Sequence, residues 1–203
     1  MLRQLTLLPR WLAQLYCLAL LTKHMLSVKR DVVLALDSPW TAMQPLRLGK
    51  VPSGLPTADL FVTVSDDDSA LLRVDLYGDS SDDVFTFQDA LVWHDHVFVG
   101  FGNRVYAIDP KKQSASEIYL GPLLGYFGHF YASQGYLMVA SGESLLRLAP
   151  DGTILWRTPN LGLDGVVVDS VENGVIQGRG EWDPPGGWRP FALRLDSGVL
   201  IPD

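Results

Sequence analysis

Two stretches of this chain, ALVWHDHVFVGFGNRVYAIDP over Ala90 to Pro110 and FYASQGYLMVASGESLLRLAP over Phe130 to Pro150, superimpose at an offset of 40 residues. Gly102 meets Gly142, Val105 meets Leu145, Ile108 meets Leu148 and Pro110 meets Pro150, while the turn His94-Asp95 meets Gln134-Gly135. A fixed period of this length constrains the fold more than any single motif. Each unit is then one supersecondary element that cannot bury its apolar face alone and must stack on its neighbours.

Inside each unit, short apolar runs alternate with turn residues, which is the pattern of antiparallel strands. Leu91 to Trp93, His96 to Gly100, Arg104 to Ile108 and Glu117 to Leu120 form one set. Phe130 to Ala132, Tyr136 to Ala140, Leu145 to Leu148 and Thr153 to Arg157 form the next, with Asp151-Gly152 as a hairpin turn. A third unit begins at Gly165 with VVVDSVENGVIQG, turns at Glu172-Asn173-Gly174 and closes with FALRLDSGVLI. A more divergent unit precedes them, from Leu60 to Gly78 and then Val84 to Phe87. Asp37 to Thr57, with Pro39, Pro45, Pro52 and Pro56, is expected to be a long connecting loop, because each proline removes a ladder donor. Val32 to Leu36 is expected to pair with the repeats and cover a strand edge that would otherwise invite association.

The predicted fold class is all-β, built from antiparallel repeats of roughly 40 residues. The strand rhythm and the small residue before the third strand resemble β-propeller repeats of the WD-repeat and quinoprotein type, over about Leu60 to Gly198. No unit carries the tryptophan-aspartate ending of WD repeats, and of the quinoprotein pattern only Trp156 stands in a comparable place. The resemblance implies a small or partial β-propeller-like domain used as a binding platform, with no catalytic residue and no cofactor to carry over. A β-sandwich with similar hairpins is the alternative. The C-terminal run GEWDPPGGWRPF resembles a segment of uncharacterised bacterial proteins.

Residues 1–24 stand apart. Trp11 to Leu21 is an apolar run of 11 residues between Arg10 and Lys23, about half of the roughly 20 that a membrane-spanning helix needs. A signal or anchor, a short helix docked on the domain, and untranslated sequence upstream of Met25 are the three readings. The expected domain is 25–203, and a chain beginning at Met25 is expected to melt within about 10 °C of the full one, since roughly 1 kcal/mol shifts a domain of this size by 2 to 4 °C. Thermal melts of both chains check this.

Sixteen Lys and Arg against 23 Asp and Glu give a net charge of -7, which on average repels phosphate backbones; nucleic acid is not an expected partner. Cys17 is the only cysteine, so an internal disulfide or a multi-thiolate zinc site is excluded and a reducing, cytoplasmic setting is expected.

Several clusters invite chemistry and have simpler explanations. His94-Asp95-His96 offers metal ligands but sits on a hairpin tip with no third His or Cys at ligand spacing, so no metal site is assigned. Asp66-Asp67-Asp68 lacks the alternating ligand positions of a calcium loop. Ser141-Gly142 lacks a nucleophile elbow, and His129 has no identifiable partner as a base. The expected ligand-binding residues are Glu181, Trp182, Asp183, Trp188 and Arg189, in a long, ordered surface loop from Gly178 to Pro190. At least one of its two tryptophans is expected to be buried there. The expected function is a non-enzymatic binding module for a protein or small ligand. The alternatives are a carbohydrate-active hydrolase using Glu181 and Asp183 as paired acids, or a purely structural domain.

Overall fold

The computed structural model describes residues 25–31, 39–54, 57–78, 87–121, 128–183 and 186–202. The first sheet holds β1 (Leu26–Asp31), β2 (Leu46–Gly49), β3 (Leu60–Asp66) and β4 (Ser69–Tyr77), in the order β1-β3-β4-β2. The second is the meander β5 (Gln88–Trp93), β6 (His96–Phe101), β7 (Arg104–Asp109) and β8 (Ser114–Tyr119). The third repeats it with β9 (His129–Ala132), β10 (Leu137–Ala140), β11 (Leu145–Leu148) and β12 (Ile154–Thr158). The fourth has β13 (Gly165–Glu172), β14 (Val175–Trp182) and β15 (Gly187–Arg194). A bridge from Leu193 to Leu200 and the bonds Arg194 N to Val199 O and Ile201 N to Ala192 O lay the chain's last residues along β15.

The sheets stack in sequence order because the inner strands of the second and third sheets, such as β6 and β10, are apolar on both faces, the expected composition of a sheet covered on either side. Along β6, Val97 and Val99 pack back against Val62, Val64 and Val74 of the first sheet. Phe98, between them, packs forward against the third sheet with Phe130 and Leu137. One period later, Leu137 and Val139 face back in that cluster while Met138 and Ala140 face forward onto Val166, Ile176 and Leu193. Among the described residues, these clusters join neighbouring sheets and none joins the fourth sheet to the first. The described residues therefore form an all-β stack of blade-like sheets, a small or partial propeller-like domain. Polar bonds also tie the sheets together, with Trp93 Nε1 donating to Ser133 O at 2.7 Å and Trp156 Nε1 to Leu195 O at 3.0 Å.

Turn chemistry matches the residues present. Asp67 and Asp68 have φ of 45° and 67°, and Asn173 and Gly174 have 50° and 77°, which are the two left-handed residues of a type I′ hairpin. The three-aspartate run is thus a tight turn, and Asp67 Oδ1 accepts the Met25 N–H at 3.2 Å. His94, with φ of 54°, occupies the other two-residue turn at issue, its ring against Trp93 at 4.6 Å. The Asp151-Gly152 turn is wider than a two-residue hairpin, since Ala149 N bonds Thr153 O and Gly152 N bonds Ala149 O.

The proline-rich stretch departs from expectation. It contains a 3-10 turn at Pro39–Ala42 and the strand β2, which runs parallel to β4 from Leu46↔Val74 to Gly49↔Tyr77. Its prolines flank this four-residue edge strand and so remove no ladder donor. The edge on the other side of this sheet is taken by β1, paired antiparallel with β3 from Leu26↔Asp66 to Asp31↔Phe61. The expected strand Val32 to Leu36 lies outside the described residues, as do 1–24 with their expected helix and 84–86 of Val84 to Phe87. Among the described residues, no helix is long and apolar enough to cross a membrane.

Candidate functional site

The segment expected to be a long loop is mostly strand. β14 and β15 stay paired from Val175↔Arg194 to Trp182↔Gly187, so the connection shrinks to 183–186, closed by Gly186 N donating to Asp183 O. Pro184 and Pro185 lie outside the described residues. Pro190 fits inside a strand because its neighbours of the same parity, Ala192 and Arg194, turn their backbone groups toward 199–201 and away from β14. The N–H that proline lacks would have faced outward. Gly178 and Gly180 occupy the inward face of β14, where a Cβ would run into Val167 O and Leu161 O. The preceding connection is anchored here too, with Leu163 N donating to Glu181 O at 2.6 Å.

Alternation distributes the expected site residues over two faces. Glu181 and Trp188 lie opposite each other on the outward face. Trp182 and Arg189 lie on the other, with the guanidinium 5.6 Å over the indole, and Asp183 is exposed at the turn. Trp182 is half-buried and Trp188 is 43% exposed, so neither indole reaches the burial expected of one of them.

Two outward-face residues were not expected. Arg179 lies diagonally across from Trp188, its guanidinium 5.8 Å over that ring. Asp169 of β13 holds the same guanidinium bidentately at 2.9 and 2.8 Å. The hydrogen bond and charge of Asp169 raise the Arg179 pKa above its ordinary value, so it stays cationic. The alternation in VIQGRGEW, with glycines inward, is the sequence signal that assigns Arg179 to the outward face. Planar groups held in this way form a rigid Trp-Arg platform edged by Glu181.

Other candidates resolve into structure. Ser141 and Ser144 are buried and bonded to each other, Oγ to Oγ at 2.9 Å, within the β10–β11 turn. His129 is exposed and packs edge-on against Tyr131 at 4.7 Å. Among the described residues, no three His, Cys, Asp or Glu side chains come together as a metal site. Three clefts lie elsewhere, beside Arg147 and Arg194, beside His96 and Asp151, and beside Tyr131 and Tyr136. Neither Glu181 nor Asp183 lines any of them, so the paired-acid reading gains no support from them.

No protein-family model matches the chain, and no curated protein is significantly similar to it in sequence. Among solved structures, the chain is similar to the WD40 domain of Neurospora crassa Pan2, at 12% identity and a TM-score of 0.39, with 73% of this chain and 49% of that one covered. It is also similar to a protein of unknown function from Bacteroides caccae, at 13% identity and a TM-score of 0.40, with 75% and 69% covered. The chain thus spans about half the length of the Pan2 domain it matches.

Proposed function

We propose that this chain is a non-enzymatic interaction module, and that a protein partner docks on the outward face of the β14–β15 hairpin with Trp188 as the anchor. The observation that carries this reading is the exposed Trp188 indole, held on a strand with the Asp169-fixed guanidinium of Arg179 against it. Tryptophan and arginine dominate the energetic centres of protein interfaces, because they bring large contact area at little entropic cost once they are held in place. Glu181 beside Trp188 adds an acceptor at the rim, and Trp182, Asp183 and Arg189 extend the contact around the tip. Residues 25–203 are proposed as the functional unit, acting inside the cell.

Retention from a lysate of the native host, compared between wild type and variants, tests the reading. Proteins held by the wild type are expected to be lost by Trp188→Ala and reduced by Glu181→Ala, with melting temperatures changed by less than about 2 °C, as for exposed substitutions. Equal retention by wild type and both variants would overturn it.

A further inference from the structure

The same end of the stack carries one cleft at the boundary of the second and third sheets and another at that of the third and fourth. The repeat relates them. Ala107 lines the first and Arg147 lines the second, and the two residues stand 40 positions apart at equivalent places on β7 and β11. Both clefts are also bordered by the turn that follows the third strand of the later sheet, through Asp151 in one and Asp196 in the other.

Their charges are opposite. In the first, of about 260 Å³, Asp109 and Asp151 face Lys112, which Asp109 already neutralises at 2.9 Å. In the second, of about 340 Å³, Arg147 and Arg194 face the single carboxylate Asp196. Ala107 is buried under Gly152, so a methyl group packs at the first boundary where the second has a guanidinium.

Arg147 is fixed rather than floppy. Its Nη1 donates to Leu195 O at 2.9 Å and its Nη2 to Gly135 O at 3.2 Å, while its Nε is buried without a hydrogen-bond partner. Arg73, Arg104 and Arg179 each pair with a carboxylate. Among the described residues, no carboxylate pairs with Arg147 or Arg194. Asp196 does not fill that role, and its Oδ1 accepts the Ser197 hydroxyl at 3.0 Å. A half-buried guanidinium bonded only to carbonyls keeps a positive field in the cleft, and guanidinium geometry matches carboxylate and phosphate oxygens.

We infer that the cleft between the third and fourth sheets binds a small oxyanion group, a phosphate or a carboxylate, through Arg147 and Arg194. This site lies at the opposite end of β15 from Trp188, beside the β13–β14 turn, and does not depend on the reading of the Trp188 platform. The test is amide NMR on the full chain, titrated with inorganic phosphate and separately with acetate at constant ionic strength in sodium chloride. Saturable shifts are expected at Asn173, Gly174 and Asp196, with none at His96 or Ser114 in the acidic cleft. Saturation by phosphate alone assigns a phosphate ligand, by acetate alone a carboxylate, and by both the shared chemistry. Arg194→Ala, which removes an exposed and unpaired side chain, is expected to weaken binding about tenfold or more, as loss of a charge-assisted contact does. Arg147→Gln is expected to do the same if it folds. Non-saturating shifts, equal shifts in both clefts, or unchanged affinity in Arg194→Ala would each overturn the inference.

Discussion

Replacing Phe87 with alanine is expected to destabilise the fold by about 3–5 kcal/mol, the range for loss of a fully buried phenyl ring. That corresponds to a fall in melting temperature of roughly 6 to 20 °C for a chain of this size. Phe87 immediately precedes β5 and is 2% exposed. Its ring fills the space that a Cβ would need at both Gly100 of β6 and Gly128 ahead of β9, and it meets the Phe130 ring at 5.1 Å in a tilted contact. One side chain therefore spans the second and third sheets. Its carbonyl also accepts the Gly102 N–H at 2.9 Å, so the backbone stays pinned while the side chain is lost, and the cavity cannot collapse easily. Gly100→Ala should be destabilising from the other side, since the ring has Gly128 behind it and no room to retreat. Urea titrations of both variants check this. A change below about 0.5 kcal/mol for Phe87→Ala would mean that the two sheets do not depend on this contact.

The repeat was legible because its strands are apolar on both faces, and a strand buried twice leaves a continuous run such as HVFVG or YLMVA that tolerates no register slip. The offset of Val97 to Leu137 in the sequence is the offset of their places in the core. Less legible was everything that depends on which edge a backbone group faces. β2 hides between prolines because it pairs on one side and in the parallel sense, which no local pattern announces. Gly178 to Pro190 reads as a loop, given its glycines and prolines, yet two of them have a strand-compatible reason to be there: close approach of the preceding chain at Gly180, and an outward-facing backbone at Pro190. The residues of the proposed site stand out by composition but are not sorted by it. Alternation separates Glu181 and Trp188 from Trp182 and Arg189 only once the segment is known to be strand. Asp169 was out of reach altogether, since its approach to Arg179 depends on the β-bulge between Val168 and Ser170.

Asp75→Ala is expected to cost about 3–5 kcal/mol, as large an effect as loss of the Phe87 ring, although it removes no apolar contact. Arg73 and Asp75 lie two residues apart on β4 and project from the face of the first sheet that points away from the rest of the stack. Their side chains are 15% and 6% exposed and meet bidentately, Nε to Oδ1 at 2.7 Å and Nη2 to Oδ2 at 2.8 Å. Arg73 Nη1 also donates to Trp40 O at 3.2 Å, and the guanidinium lies 5.4 Å over the Phe61 ring. Burying each ion costs several kcal/mol, and only the partner and these hydrogen bonds offset that cost. Removing the carboxylate alone leaves a desolvated cation over Phe61; removing the guanidinium alone, in Arg73→Met, leaves a desolvated anion, and a similar loss is expected. The double replacement Arg73→Met with Asp75→Leu leaves neither charge and should recover most of the lost stability, because the surrounding Phe61, Tyr77 and Ala58 already form a buried apolar cluster. Urea titrations of the wild type, Arg73→Met, Asp75→Leu and the double variant form a double-mutant cycle, and a coupling energy above about 2 kcal/mol is the expected result. Single-variant losses below about 1 kcal/mol would place this pair with exposed ion pairs, and would mean that water reaches the outer face of the first sheet.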